Sequence, residues 1–164
     1  MEDMQWKSPS WWFPFLFLML AAAVLPAQTA TPNVTNPAAH ERTVQAQSFA
    51  QEKLWYWQKR LNLQDWNVTV QVARATELKP RTLGNIHWDL DKKTAVIRVL
   101  DPADYRLPFR AMLDDVEFTV VHELIHLELV PVLADLQRNE ANRLEEEHAV
   151  NHVADALLNL QRGK

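Results

Sequence analysis

Two histidines stand four residues apart in this chain, and a glutamate directly follows the first of them: His122, Glu123 and His126. Residues at positions i and i+4 of an α-helix share one face, so both imidazoles can point at a single cation. Glu123 lies about 100° around the helix from His122, beside the cation rather than on it. A carboxylate in that position can accept a proton from water. The spacing therefore predicts a metal site with a general base next to it.

The segment that carries these residues is apolar nearly all round, which is typical of a helix in a protein core. Burying two imidazoles and a carboxylate there is costly unless something pairs them, and a metal ion would do so. An accidental arrangement on an amphipathic helix is the alternative. We expect the helix to begin near Pro108 or Phe109 and to end before Pro131, since proline cannot continue it. The apolar positions are Phe118, Val120, Val121, Leu124, Ile125, Leu127 and Leu129.

Composition narrows the chemistry further. The chain has 164 residues and no cysteine, which excludes disulfides, a cysteine nucleophile and thiolate ligands, so that any metal must be held by nitrogen and oxygen. Imidazole ligands suit zinc, which is the metal we expect. Only two glycines are present, too few for a phosphate-binding loop, and a net charge of −4 argues against a nucleic-acid surface.

An uncharged apolar run near the N-terminus, residues 11–25, has the length of an export signal. We expect residues 1–27 to be a signal peptide cleaved after Ala27, and the protein to be periplasmic or secreted. Glu2 and Asp3 weaken the positive start that such signals usually have, and initiation at Met4 would remove both. The alternative is an uncleaved membrane anchor. Residues 28–39, rich in Pro, Thr, Asn and Ala, predict a linker, and residues 40–164 a single domain.

Before the histidine segment, the pattern predicts a scaffold helix from Ala38 to about Leu61, a strand over residues 67–73 and a hairpin. The hairpin arms are residues 83–90 and 94–100; the second is the more apolar and is expected inside the sheet. The first arm, around Ile86, His87 and Trp88, suits an edge that could bind an extended peptide.

Each of three other features allows two interpretations. Trp55, Tyr56 and Trp57 could form an aromatic platform, but their helical spacing favours packing. His87 is expected to be an ordinary exposed histidine rather than a ligand. Tyr105 could stabilise an oxyanion or pack within its loop, and the sequence does not decide between the two.

A third metal ligand is expected on a last helix, roughly residues 139–161, because hydrolytic zinc sites usually have three protein ligands and leave a position for water. The apolar positions of this helix define its inward arc. Projected at 100° per residue, Glu146 and Glu147 both fall inside that arc, whereas Glu145 and His152 fall outside it. Helical geometry does not choose between the two glutamates.

The segment from Val121 to His126, together with residues 147–158, resembles the gluzincin pattern, and it is most similar to minigluzincins and ImmA/IrrE-type metallopeptidases. The resemblance implies that Glu147 is the third ligand and that Asn151, four residues on, steadies a ligand histidine. It also implies an α+β, compact zincin-like fold. That fold has a scaffold helix, a small twisted sheet of about three strands with a hairpin, the H-E-x-x-H helix and a C-terminal helix carrying the glutamate ligand.

Taken together, the sequence predicts a zinc-dependent peptidase acting on peptide or protein substrates. His122, His126 and Glu147 would bind Zn²⁺, and Glu123 would be the general base. The alternative is a zinc-binding domain without catalytic activity that serves as a regulatory or interaction module. Glu123 argues against it, because a structural site needs the histidines but not that carboxylate.

Overall fold

The structure is a computed structural model, in which residues 37–134, 137 and 139–164 are described. This part of the chain has an α+β fold with three helices and one small mixed sheet. The helices are α1 (Pro37–Arg60), α2 (Phe109–Leu133) and α3 (Glu140–Gln161), and the strands are β1 (Asn67–Ala73), β2 (Gly84–Asp89) and β3 (Thr94–Leu100). All the described residues belong to one compact unit.

The expected export signal lies outside the described residues, as does the linker up to residue 36. The linker expectation is wrong for residues 37–39, which already belong to α1. Pro37 occupies the first helical position, where a missing N–H costs nothing and a fixed φ suits the helix. None of the helices in the described part of the chain is both long enough and apolar enough to cross a membrane.

Helix α1 supports the sheet and α2 through a buried stripe that contains Ala50, Leu54 and Trp57, as its periodicity predicts. The packing interpretation of the aromatic trio is confirmed for Trp57, which is 2% exposed. It is wrong for Trp55, which is 67% exposed because it falls on the opposite face of the helix.

The sheet has the strand order β1-β3-β2, with β3 parallel to β1 and antiparallel to β2. The apolar arm is therefore the central strand, and Ala95, Ile97 and Val99 are buried on it. The predicted alternation of β1 is also confirmed, since Val68 and Val70 face the core. Strand β2 forms an edge, which leaves one side of its backbone without a neighbouring strand among the described residues.

Helix α2 runs through the centre of the core, and its middle is buried on almost every side. Its expected end before Pro131 is wrong, because the helix continues to Leu133. A proline removes the hydrogen bond to the carbonyl four residues earlier, here that of Leu127. With only two helical residues beyond it, the proline interrupts the last turn rather than the body of the helix.

Helix α3 packs its Val150, Ala154 and Leu158 into the same core. It begins where the sequence predicts, because the Asn139 side chain accepts a hydrogen bond from the backbone N–H of Asn142 at 2.8 Å. An asparagine cap of this kind satisfies one of the unpaired donors of the first turn.

A buried carboxylate of α2 joins α1 to the residue that directly follows α3. Glu117 of α2 is 4% exposed. Its carboxylate accepts a hydrogen bond from Trp57 Nε1 at 3.1 Å and forms ion pairs with Lys53 at 3.1 Å and Arg162 at 3.3 Å. Burial alone would raise the pKa of Glu117, but these donors outweigh it and hold the pKa below its ordinary value of 4.5. The charged form is therefore the form that stabilises the fold.

We expect Glu117→Gln to lower the free energy of unfolding at pH 7 by about 2–3 kcal/mol, because charged hydrogen bonds to a buried group are lost. The native pKa is below the unfolded one, so the contribution is present above about pH 4.5 and is lost as the pH falls through the native pKa. Urea denaturation at neutral and acidic pH measures both effects.

Asp114→Asn is the matched control for this prediction. Asp114 pairs with the same Arg162 at 3.3 Å, but it is largely exposed, so its replacement should cost less than about 1 kcal/mol. Equal losses from the two variants would contradict the role of the buried network.

Candidate metal centre

Three side-chain atoms from two helices converge on one point. His122 and His126 lie one turn apart on α2, and their Nε2 atoms are 3.0 Å from each other. An Oε2 atom of Glu147, from α3, lies 3.4 Å from the first of these nitrogens and 3.6 Å from the second. Among the described residues this is the only group of three or more potential ligands close enough together to hold a metal ion.

The opposite nitrogen of each imidazole has its own partner on α3. Nδ1–H of His122 donates to Oδ1 of Asn151 at 3.0 Å, and Nδ1–H of His126 donates to Oε1 of Glu146 at 2.9 Å. These bonds fix the ring orientation and favour the tautomer in which Nε2 carries a lone pair. Two Nε2 lone pairs and a carboxylate oxygen then face one another, an arrangement that is repulsive without a cation between them.

The spacing of the three atoms suits a small divalent ion. Bonds of about 2.0–2.2 Å to nitrogen and oxygen in a tetrahedral site imply separations between ligand atoms of roughly 3.3–3.6 Å. The observed separations run from 3.0 to 3.6 Å. Burial, followed by the neighbouring His126, lowers the pKa of His122, which favours the neutral imidazole that a metal requires. The cluster can therefore hold a metal ion.

Glu123 lies beside the cluster without joining it. Its side chain lines the same cleft and is 7% exposed. Burial raises its pKa to about 8; the Glu147 carboxylate adds to the rise and Lys79 opposes it. A carboxylate that is poorly solvated in this way binds a proton more strongly than an exposed one, as a general base at neutral pH should.

The two glutamates that helical projection leaves open both reach the site, but they contact different atoms. Glu147 extends to the Nε2 side, where a cation would sit, and Glu146 to the Nδ1 side of His126. Sequence reasoning missed this contact of Glu146. The contact could have been predicted, because a metal-binding histidine usually donates its second N–H to a carboxylate or carbonyl, and Glu146 is on the inward arc of α3.

A cleft of about 410 Å³ opens over the cluster between α2, α3 and the edge strand β2. Ile86 and Trp88 line it, and His87 does not. Strand side chains alternate between the two faces of a sheet, so His87 points away from the cleft while its neighbours face it. The structure thus brings two of the three expected edge-strand side chains to the site.

The backbone of β2 is also oriented for pairing. Leu100 N–H donates to the Leu83 carbonyl at 2.9 Å, which makes these two residues a hydrogen-bonded pair of the antiparallel ladder. Because such pairs alternate, the backbone N–H and C=O groups of Gly84, Ile86 and Trp88 point away from β3. These residues also line the cleft, so an extended chain lying there could pair with them.

Gly84 lets the edge strand approach the helix that carries the cluster. A Cβ atom at this position would lie 2.4 Å from the Thr119 methyl group of α2 and 2.4 Å from the Arg98 carbonyl oxygen of β3. Thr119 is one turn before Glu123 on α2. The absence of a side chain at Gly84 therefore sets the distance between the edge strand and the proposed base.

Tyr105 is not brought to the cleft. It packs against Ala73, Leu78 and Leu100 in a separate small apolar cluster. Its hydroxyl is buried and has no hydrogen-bond partner among the described residues, and burial, together with Asp115, raises its pKa. The structure thus favours the packing interpretation over an oxyanion role.

Comparison with known proteins does not assign the chain to a family. A scan against protein-family models matched no family, and searches of curated proteins and of solved structures found no match.

Proposed function

We propose that this protein is a zinc-dependent peptidase with a gluzincin-type, zincin-like domain. His122, His126 and Glu147 would hold the metal, and Glu123 would act as general base. The proposal rests on one observation: two Nε2 atoms and one carboxylate oxygen converge beside the buried Glu123. A purely structural metal site has no use for that glutamate.

Zinc is proposed because two imidazoles and one carboxylate are a ligand set that it commonly takes in hydrolases. When bound there, zinc would act as a Lewis acid: it would lower the pKa of water towards neutrality and polarise a carbonyl group. The remaining chemistry belongs to the side chains and backbone of this chain.

Glu123 would remove a proton from the attacking water and then deliver it to the departing amine of the peptide. Its burial supports this role, because the raised pKa suits both the acceptance and the return of a proton near neutral pH. Asn151 and Glu146 would hold the two imidazoles in the orientation that keeps their Nε2 atoms directed at the metal.

The edge strand would position the substrate. A peptide lying along β2 could pair with the outward-facing backbone groups of Gly84, Ile86 and Trp88, which would hold it extended across the cluster. The apolar run at residues 11–25 supports the further proposal that the enzyme acts outside the cytoplasm, either released by cleavage after Ala27 or held by an uncleaved anchor.

Removal of the metal tests this function. We expect the protein supplied with one equivalent of Zn²⁺ to cleave members of a diverse peptide library, to lose that activity in a strong chelator, and to recover it when zinc is restored. Mass spectrometry of the products should show two fragments whose masses sum to the peptide plus one water. Stoichiometric zinc binding without cleavage of any library member would instead favour a non-catalytic zinc-binding module.

A further inference from the structure

Three cationic side chains line the cleft in a chain whose net charge is −4: Lys79, Arg81 and Arg143. The first two belong to the turn before β2, and the third lies on α3, one turn before Glu147. None of the three forms an ion pair with another residue in the described part of the chain, and all are exposed. The proposed catalytic role does not use Arg81 or Arg143, and Lys79 enters it only by opposing the rise in the pKa of Glu123.

The backbone at Arg81 is unusual for a residue with a side chain. The carbonyl of Lys79 accepts a hydrogen bond from the N–H of Thr82 at 3.2 Å, which closes a four-residue turn with Pro80 in its second position. Arg81 occupies the third position with a φ of +67°, where glycine or asparagine is the favoured residue. Arg81 therefore places a cationic side chain in the cleft lining although glycine would adopt this backbone conformation with less strain.

The cleft's own acids do not neutralise these cations once a metal is bound. The acidic residues that line it are Glu123, Glu146 and Glu147, equal in number to the cations. Glu146 contacts His126, and Glu147 faces the point where a metal would lie. With all three glutamates ionised, a divalent ion would leave the cleft with two net positive charges, which would attract an anionic group on the substrate.

We propose that the cleft selects peptides carrying a carboxylate close to the cleaved bond, with Lys79, Arg81 and Arg143 as its specificity-determining residues. This inference rests on the proposed peptidase function. The carboxylate can belong to an Asp or Glu side chain or to a free C-terminus, because both present the same bidentate acceptor to a guanidinium group.

Paired peptides test the inference. We use quenched fluorogenic peptides with amidated C-termini that differ only by Glu or Gln at positions flanking the cleaved bond, and a second pair that differs by a free or amidated C-terminus. We expect kcat/KM to be about 10-fold or more higher for the member with the carboxylate, and this ratio to fall as salt increases, because exposed charges are screened.

Three variants assign the preference to residues. Lys79→Gln, Arg81→Gly and Arg143→Gln should each reduce the ratio, and the triple variant should bring it close to 1. Arg81→Gly is the sharpest of these, because glycine suits the positive φ and the fold should be retained or stabilised. Lys59→Gln is the matched control: it removes the same charge from an exposed position on α1 that does not line the cleft, and it should leave the ratio unchanged.

A binding assay separates this inference from the proposed function. Fluorescence anisotropy with zinc-loaded Glu123→Gln protein compares the affinities for the Glu and Gln peptides without cleavage. Preferential binding of the Glu peptide that is reduced in the added Arg81→Gly background supports the selectivity even if no peptide is cleaved. Equal cleavage and equal binding of both members of each pair overturns the selectivity and leaves the peptidase function standing.

Discussion

Glu123→Gln is expected to keep one zinc per chain while reducing kcat/KM for peptide cleavage by about 10²–10⁴-fold, the range over which a positioned general base contributes. Glutamine has nearly the same shape as glutamate but cannot accept the proton of the attacking water. Because Glu123 does not join the metal cluster, zinc binding should not depend on its charge. Steady-state kinetics and elemental analysis of the same preparation measure both quantities.

The stability of this variant distinguishes lost chemistry from lost folding. Burial penalises the charged form of Glu123 and raises its pKa to about 8, so a neutral amide should not lower the thermal midpoint. Glu128→Gln is the matched control, since Glu128 is an exposed glutamate of the same helix. An unchanged rate in Glu123→Gln, or an equal loss in Glu128→Gln, would exclude Glu123 as the base.

Glu147→Ala is expected to weaken zinc binding more than Glu146→Gln does, although the two residues are adjacent. The first change removes an oxygen that lies 3.4 and 3.6 Å from the two Nε2 atoms. The second keeps the metal-facing atoms and alters only the acceptor for Nδ1–H of His126. Changes of that indirect kind typically cost about 10–100-fold in metal affinity. Competition with a chromophoric chelator measures these affinities.

Glu145 provides the control for this pair. It is the preceding residue on α3, is exposed, and forms no contact with the cluster, so Glu145→Gln should leave the zinc affinity unchanged. If Glu146→Gln loses more affinity than Glu147→Ala, then the oxygen that binds the metal belongs to Glu146, and the arrangement of the two glutamates is the reverse of the one described.

The secondary structure could be predicted from the sequence because its signals are local. Strict alternation marks β1, and a polar three-residue connection marks the hairpin of β2 and β3. Asn139 marks the start of α3 through a hydrogen bond within its own first turn. The end of α2 was not predictable in this way, because Pro131 interrupts only the last turn and does not fix the residue at which the helix ends.

The candidate site was predictable only in part. The i and i+4 spacing brings His122 and His126 together within one helix, but the contacts of α3 depend on how two helices pack. A difference of one residue, about 100° of rotation, separates the contact made by Glu146 from that made by Glu147. The sequence did not predict the ion pairs of Glu117, and it did not predict that three cations line the cleft. In both cases the residues come from elements that are distant in the sequence.

The central claim is that His122, His126 and Glu147 form one metal site. X-ray absorption at the zinc edge, on wild-type protein loaded with one equivalent of zinc, tests it most directly. We predict four or five nitrogen and oxygen neighbours at about 2.0–2.1 Å, with outer-shell scattering from two imidazoles, and we expect His122→Ala to lose stoichiometric zinc. A spectrum of zinc surrounded by six oxygens without imidazole scattering, or a protein that retains no zinc after desalting, would contradict the claim.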